Sequence, residues 1–388
     1  MAQTAPMRIL LASSPGVGHL LPLLPFARTA ASRGHDVVIV GGQSLEPIAS
    51  AAGIGFAAMG PATIGDAASR IKGVLDVTGR RRAVLIFRQA FCGAIAAGMA
   101  DGIVDLVSRW RPDVIVREDM AFGAWIAADR GSIPHATIQT TAWRPRMRAL
   151  AGEPLNALRA GHGLAADPDL DDLHGMVFFA TRPPAVRDPA EPYPAGTADL
   201  RPVADDRHDG AGDDADPFPP ADGRPRVAVT LGTINAGERA VLRALVDGAV
   251  SAGAHVVVAL GADPASWPDA PAGVTVRSYV PMSALLPHAD LVAFHGGSGT
   301  MLAALAVGCP MVIVPLAADQ PDNADRCEAA GVAQVVPLDG VSTGAVRNAI
   351  DIVVADPGYR SRAARVAAEV AAMPGPEVAL DRIEALAG

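Results

Sequence analysis

The sequence predicts an α/β protein of two doubly wound, Rossmann-like domains, and three observations carry that prediction. The chain has 388 residues, more than one ordinary domain of about 100–200 residues accommodates. Short β-branched runs alternate with amphipathic stretches from residue 7 onward and again from residue 226, the signature of strands alternating with helices in a parallel sheet. Between these tracts, residues 188–225 hold eight prolines and nine aspartates in 38 positions, a composition that buries too little apolar surface to offset the entropy of ordering.

In order, the first tract reads as strand over 8–13, helix over 20–33 and strand over 36–40, an opening βαβ unit. Further strands follow at 55–58, 113–116, 135–139 and 176–180, with a long helical stretch over 82–110. The second tract gives strands at 226–231, 255–260, 274–279, 291–294 and 311–314, each but the third leading into a helix-like segment. Beyond 342 the pattern is helical to 386, broken at Pro357 and at Pro374-Gly375-Pro376. The domains are therefore expected at 1–187 and 226–388, joined by a linker over 188–225.

Half of the residues are apolar and 19% are charged, and no run of 18 apolar residues could span a bilayer. The N-terminus lacks the charged, apolar and small-residue segments of a signal peptide, so a soluble, cytoplasmic protein with no membrane partner is expected. A net charge of -9 without a basic cluster excludes the electrostatic footprint of nucleic-acid binding. Cys92, Cys309 and Cys327 are odd in number and match no zinc spacing, which predicts buried thiols and neither a disulfide framework nor a metal site. A homodimer stays open. His35, His162, His174, His208 and His255 show no ligand spacing and receive no function.

His295-Gly296-Gly297-Ser298-Gly299-Thr300 stands where the buried strand LVAF hands over to the apolar helix MLAALAV. Such a junction aims free backbone N–H groups and the positive end of a helix dipole at one point, an anion site. The glycines permit close backbone approach, Ser298 and Thr300 add hydroxyls and His295 a ring donor, so phosphate is the expected guest. The next strand, MVIVP, leads to Asp319 and Gln320. In open α/β sheets ligands bind at the carboxyl ends of strands, and an acid beside an amide suits sugar hydroxyls. Gly232 and Thr233, at the end of the strand over 226–231, join the same candidate set. In the first domain His19 closes Pro15-Gly16-Val17-Gly18-His19 after the first strand. An imidazole titrating near about 6.5 suits general-base work there.

The tract AFHGGSGTMLAALAVGCPMVIVPLAADQPDNADRCEAAGVA resembles the donor-binding signature of the UDP-glycosyltransferase superfamily, in its bacterial natural-product branch. MRILLASSPGVGHLLPLLPFARTAASRGHDVVIVGG extends the resemblance to the N-terminus. It implies the GT-B fold, two facing Rossmann-like domains with the donor mainly on the second, the acceptor on the first, and C-terminal helices crossing back to the first. It places the diphosphate at His295, Ser298, Gly299 and Thr300, the sugar at Asp319 and Gln320, and the nucleobase at Tyr279 and Val280, with Gly297 also in the donor-binding set. It makes His19 the general base, with Glu118 as its carboxylate partner and the neighbouring Asp119 as the alternative.

The implied reaction is inverting transfer of a sugar or deoxysugar from a nucleoside diphosphate to a small hydrophobic aglycone, without metal or other cofactor. Ala303 replaces a glutamate that contacts ribose hydroxyls in plant members, which favours thymidine diphosphate over uridine diphosphate as the carrier. Ile86, Phe87, Phe91, Trp143 and Met147 are the candidate acceptor-pocket residues. Two other readings remain, a sugar-nucleotide-binding accessory protein and a nucleotide-sugar epimerase of the same fold. A nicotinamide-dependent oxidoreductase is disfavoured, because the third glycine of its fingerprint falls at Leu21 and no acid follows Val40-Gly41-Gly42-Gln43.

Overall fold

The computed structural model describes residues 5–74, 76–77, 79–142, 147–203, 206, 216–232 and 238–387. The chain divides into two compact units: Met1–Thr181, Pro189–Asp205 and Pro374–Gly388 form unit 1, and Arg182–Asp188 with Asp206–Met373 form unit 2.

Unit 1 is built on seven parallel strands, β1 (Arg8–Ala12), β2 (Asp36–Gly41), β3 (Gly55–Ala58), β4 (Val114–Glu118), β5 (His135–Ile138), β6 (Phe178–Ala180) and β7 (Ala198–Asp199), in the order β3-β2-β1-β4-β5-β6-β7. Alternate residues of β1 enter different cores, Ile9 and Leu11 one face and Leu10 and Ala12 the other. A strand buried on both faces reads as a continuous apolar run, which is why RILLA shows no polar alternation. Unit 2 repeats the plan with β8 (Arg226–Thr230), β9 (His255–Ala259), β10 (Thr275–Arg277), β11 (Leu291–Phe294), β12 (Met311–Ile313) and β13 (Ala333–Val335), ordered β10-β9-β8-β11-β12-β13. In each sheet the order reverses between the first and fourth strands, and that switch point is where ligands settle in this architecture.

The helical run Arg81–Trp110, whose most apolar 18-residue window has mean hydropathy 1.6, is long and apolar enough to cross a membrane by length and composition alone. In unit 1 its Ile95, Met99 and Ile103 share a buried core with Ala124, Ala127 and Ala128 of the helix Phe122–Gly131. The two helices meet backbone to backbone at Gly123, where a Cβ would lie 2.3 Å from the Ala96 carbonyl oxygen. Over Ile86–Ile95 the run winds as a π-helix, a form that concentrates at functional sites.

The unit boundaries differ from the domains expected at 1–187 and 226–388. Residues 189–205, placed by composition in the linker, belong to unit 1, because Ala198 and Asp199 pair with Phe179 and Ala180 as the edge strand β7. The last helix, Pro376–Ala387, also belongs to unit 1, where Ala379, Leu380 and Ile383 share a core with Leu20, Phe26 and Ile39. His35 fixes it there: its Nδ1 accepts the Met7 N–H at 3.0 Å and its Nε2 lies 2.8 Å from Glu384 Oε1. Of the three C-terminal helices this one alone returns, whereas Thr343–Ala355 and Pro357–Ala372 stay in unit 2.

Candidate active site

In unit 1 the strands β1 and β4 lie side by side and parallel, so the residues that follow β1 and those that end β4 meet at one sheet edge. His19 is carried by the short helix Val17–Leu20. Its ring packs so closely on Gly16 that a Cβ there would stand 3.0 Å from Cδ2. His19 Nδ1 lies 3.2 Å from Oε2 of Glu118, the last residue of β4, which is fully buried. Glu118 Oε1 accepts the Ser14 N–H at 3.0 Å, and Oε2 accepts the Met120 N–H at 2.7 Å and the Thr140 hydroxyl at 3.1 Å.

Burial alone would push the Glu118 carboxyl upward. The facing His19, with the hydrogen bonds from Ser14 and the Met120 amide, outweighs it and holds the group down at about 2. A carboxylate so held is ionised across the working pH range. Asp119 moves the other way, raised by burial and then by the Glu118 charge, against donors from Thr140 and Thr141. It takes the Thr140 hydroxyl and amide at 2.7 and 3.0 Å and the Thr141 hydroxyl and amide at 2.6 and 3.3 Å. The carboxylate that reaches His19 is therefore Glu118, and Asp119 ties the segment after β5 to the end of β4. With Glu118 on Nδ1, the imidazole proton sits on that nitrogen and the basic lone pair falls on Nε2.

The apolar candidates separate into three groups. Phe91 stands beside His19, ring centroids 5.6 Å apart. Phe87 and Met147 line a cavity with Met120, Phe122, Asp119 and Thr141. Ile86 packs elsewhere, against the core of Leu10, Ile95 and Met99, and is not in that cavity's lining. Trp143 lies outside the described residues.

In unit 2 the strand β11 runs through His295-Gly296-Gly297 into the helix Ser298–Val307. Gly296 has φ +87, and a Cβ on Gly297 would lie 2.6 Å from His295 Nε2, so the ring fits only over a glycine. No side chain caps this helix, which leaves the amides of Ser298, Gly299 and Thr300 directed at the turn. Gly232, at φ +64 after β8, brings its α-carbon to the same ring, with a Cβ there 3.1 Å from Cε1. Burial pushes His295 down to about 4 despite the nearby Asp319 charge. It enters the site as a neutral ring, not as the positive charge that a phosphate-facing histidine suggests. Thr233 lies outside the described residues.

Asp319 and Gln320 follow β12. Asp319 Oδ2 accepts the Ser298 hydroxyl at 2.7 Å, which joins the turn to the segment after β12. Gln320 is buried, and its Oε1 accepts the Leu316 and Ala317 amides, both at 2.8 Å. Those bonds use the side-chain oxygen of Gln320 to hold a loop in which Ala318 takes φ 57. Tyr279, after β10, is partly exposed and donates its hydroxyl to the Asp206 carbonyl, while Val280 packs on the core of Phe294 and Leu285.

Two residues of this site escape sequence reasoning. Asn323 Nδ2 donates to the Gly296 carbonyl at 2.7 Å and to Ser298 Oγ at 3.1 Å. It stands one helical turn beyond Asp319, a spacing that could have flagged it. Arg182 donates to Ser298 Oγ from 116 positions away, and no local pattern announces it. Among the described residues no group of three or more His, Cys, Asp or Glu could hold a metal ion.

The erythromycin biosynthesis protein CIII-like family has models for an N-terminal and a C-terminal domain, which match residues 28–148 and 243–386. The L-demethylnoviosyl transferase of Streptomyces niveus is 29% identical over 401 residues, covering 98% of each chain. The glycosyltransferase SnogD of Streptomyces nogalater superposes with a TM-score of 0.76 at 28% identity, over 99% of this chain and 100% of that one. SsfS6, a glycosyltransferase of Streptomyces sp. SF2575 in complex with thymidine diphosphate, gives 0.77 at 26% identity over 97% and 99%.

Proposed function

The chain belongs to the erythromycin biosynthesis protein CIII-like family of bacterial natural-product glycosyltransferases, and on that premise we propose that it moves a deoxysugar from thymidine diphosphate to a hydroxyl of a small hydrophobic aglycone, with inversion. The observation that carries the chemistry is the 3.2 Å pair of His19 Nδ1 and the buried Glu118. It provides a base whose developing charge is met by a fixed carboxylate. Thymidine diphosphate bound to a relative of 26% identity supports the choice of carrier.

In this reading His19 Nε2 takes the proton of the acceptor hydroxyl, and that oxygen forms its bond to the anomeric carbon from the face opposite the diphosphate. The bond from carbon to the diphosphate oxygen breaks, and its electron pair leaves with the nucleotide. Unit 2 meets the departing charge with the amides of Ser298, Gly299 and Thr300 at the helix terminus, while Asp319 and the Gln320 amide read the sugar. Phe87, Phe91 and Met147 contact the aglycone. No metal takes part.

A panel of thymidine and uridine diphosphate sugars against polyketide and other aromatic aglycones, in excess EDTA and read by mass spectrometry, tests this. A glycosylated aglycone should appear with release of the nucleoside diphosphate. Nucleotide binding without release, or activity that returns only with magnesium or manganese, would overturn it.

A further inference from the structure

Arg182 opens the short segment Arg182–Asp188 of unit 2. Its side chain is almost fully buried, 3% exposed, an expensive place for a cation without close counter-charge. Nη2 donates to Ser298 Oγ at 3.1 Å and to Asn323 Oδ1, and Nη1 lies 3.9 Å from Met301 Sδ. The one carboxylate within 4.0 Å, among the described residues, is Asp319, whose Oδ2 is 3.8 Å away and already holds the Ser298 hydroxyl. The hydrogen bonds of the guanidinium thus go to neutral groups, and its nearest counter-charge stands 3.8 Å away and is shared with Ser298.

The other side of Ser298 is the helix terminus that the proposed function assigns to the diphosphate. That terminus contributes about half an elementary charge, against the roughly -1.5 to -2 of a terminal phosphate group. His295 adds a neutral ring. Ser298 gives its proton to Asp319 and accepts from Arg182 and Asn323, so its hydroxyl acts as a relay between cation and turn rather than as a phosphate donor.

We propose that Arg182 is a positioning residue that supplies the full positive charge for the diphosphate, acting through Ser298, whose place at the first turn of the helix it fixes with Asn323. This rests on the reading of unit 2 as the nucleotide-sugar site.

Calorimetric titration with thymidine diphosphate, and with thymidine at millimolar concentration, tests it on the full chain. Arg182→Met should weaken the diphosphate about tenfold or more, the loss of one charged interaction, and leave thymidine unchanged. Arg182→Lys, which keeps the charge, should stay within about threefold. Asn323→Asp sets a carboxylate against Nη2 and should reproduce the methionine result with Arg182 in place. If Arg182→Met does not fold, the lysine and aspartate variants decide. Equal loss of thymidine and diphosphate, a lysine variant as weak as methionine, or unchanged diphosphate binding in the methionine or aspartate variant overturns the proposal. Failure of the unmodified protein to bind thymidine or uridine diphosphate overturns the donor-site reading and this inference with it.

Discussion

At the switch point of unit 1 the chain sets a histidine on the buried carboxylate of Glu118, with the carboxylate of Asp119 next to it in sequence. At the equivalent point of unit 2 it gathers backbone amides, a neutral histidine and a buried arginine. The strand orders match over six strands, and the electrostatics differ. The sheet supplies a place where strand ends converge, and a few side chains decide what that place does. A base that takes up a proton is helped by a fixed anion close by, whereas an anionic ligand is met by donors, and the carboxylate beside the unit 2 turn, that of Asp319, is engaged by the Ser298 hydroxyl.

The largest effect should come from breaking the anionic side. His19→Ala should lower turnover by about 10²–10⁴-fold with little change in affinity for thymidine diphosphate. Glu118→Gln, which keeps the shape and removes the charge, should fall by a comparable factor, and Asp119→Asn by much less. Kinetics beside calorimetry decide: matching losses in the two carboxylate variants would erase the division of labour between them.

The second effect sharpens the contrast from unit 2. Asp319→Ala removes a charged acceptor from a sugar hydroxyl, worth roughly 1.5–3 kcal/mol, and should weaken the intact nucleotide sugar more than tenfold. The bare diphosphate should bind as before or more tightly, since the carboxylate 3.8 Å from Arg182 is gone. A diphosphate weakened as strongly as the sugar donor would show that Asp319 merely supports the turn.

The smallest effect concerns acid. Burial, and then the Arg117 charge, pushes His135 down to about 3 and His174 down to about 2. The unfolded chain protonates both near the ordinary histidine value of 6.5, so between that pH and about 3 the unfolded state binds more protons. Stability is intact above about 6.5 and is lost as pH falls. Unit 2 has a single counterpart among the described residues, His295. Scanning calorimetry between pH 7.5 and 5 should show unit 1 losing more, and His135→Gln should recover about 4 °C of that loss. An unchanged slope in the variant would mean that His135 titrates normally in the folded unit.

Legibility in the sequence followed local chemistry. The strand-to-helix turn over 295–300 and the place of His19 after β1 could be read because each depends on neighbours within a few residues: glycines, hydroxyls and a strand handing over to a helix. Glu118 against Asp119 could not be settled, because adjacent residues at a strand end point to opposite faces and only the alignment of β4 with β1 shows which one meets His19. The strands Ala198–Asp199 and Ala333–Val335 are too short to carry a period and were invisible for that reason. Ile86 and Phe87 are neighbours on one helix that enter different cores, which composition cannot separate. Arg182 is the extreme case, a charge buried by residues more than a hundred positions away.

The last helix, Pro376–Ala387, follows every residue of unit 2 in the chain and yet completes the core of unit 1. During synthesis the ribosome therefore delivers the whole of unit 2 before the groove over Leu20 and Phe26 receives Leu380 and Ile383. The first unit to emerge is the last to be finished, and a nascent chain stalled before residue 376 would present an unfilled apolar face to the chaperones that meet it.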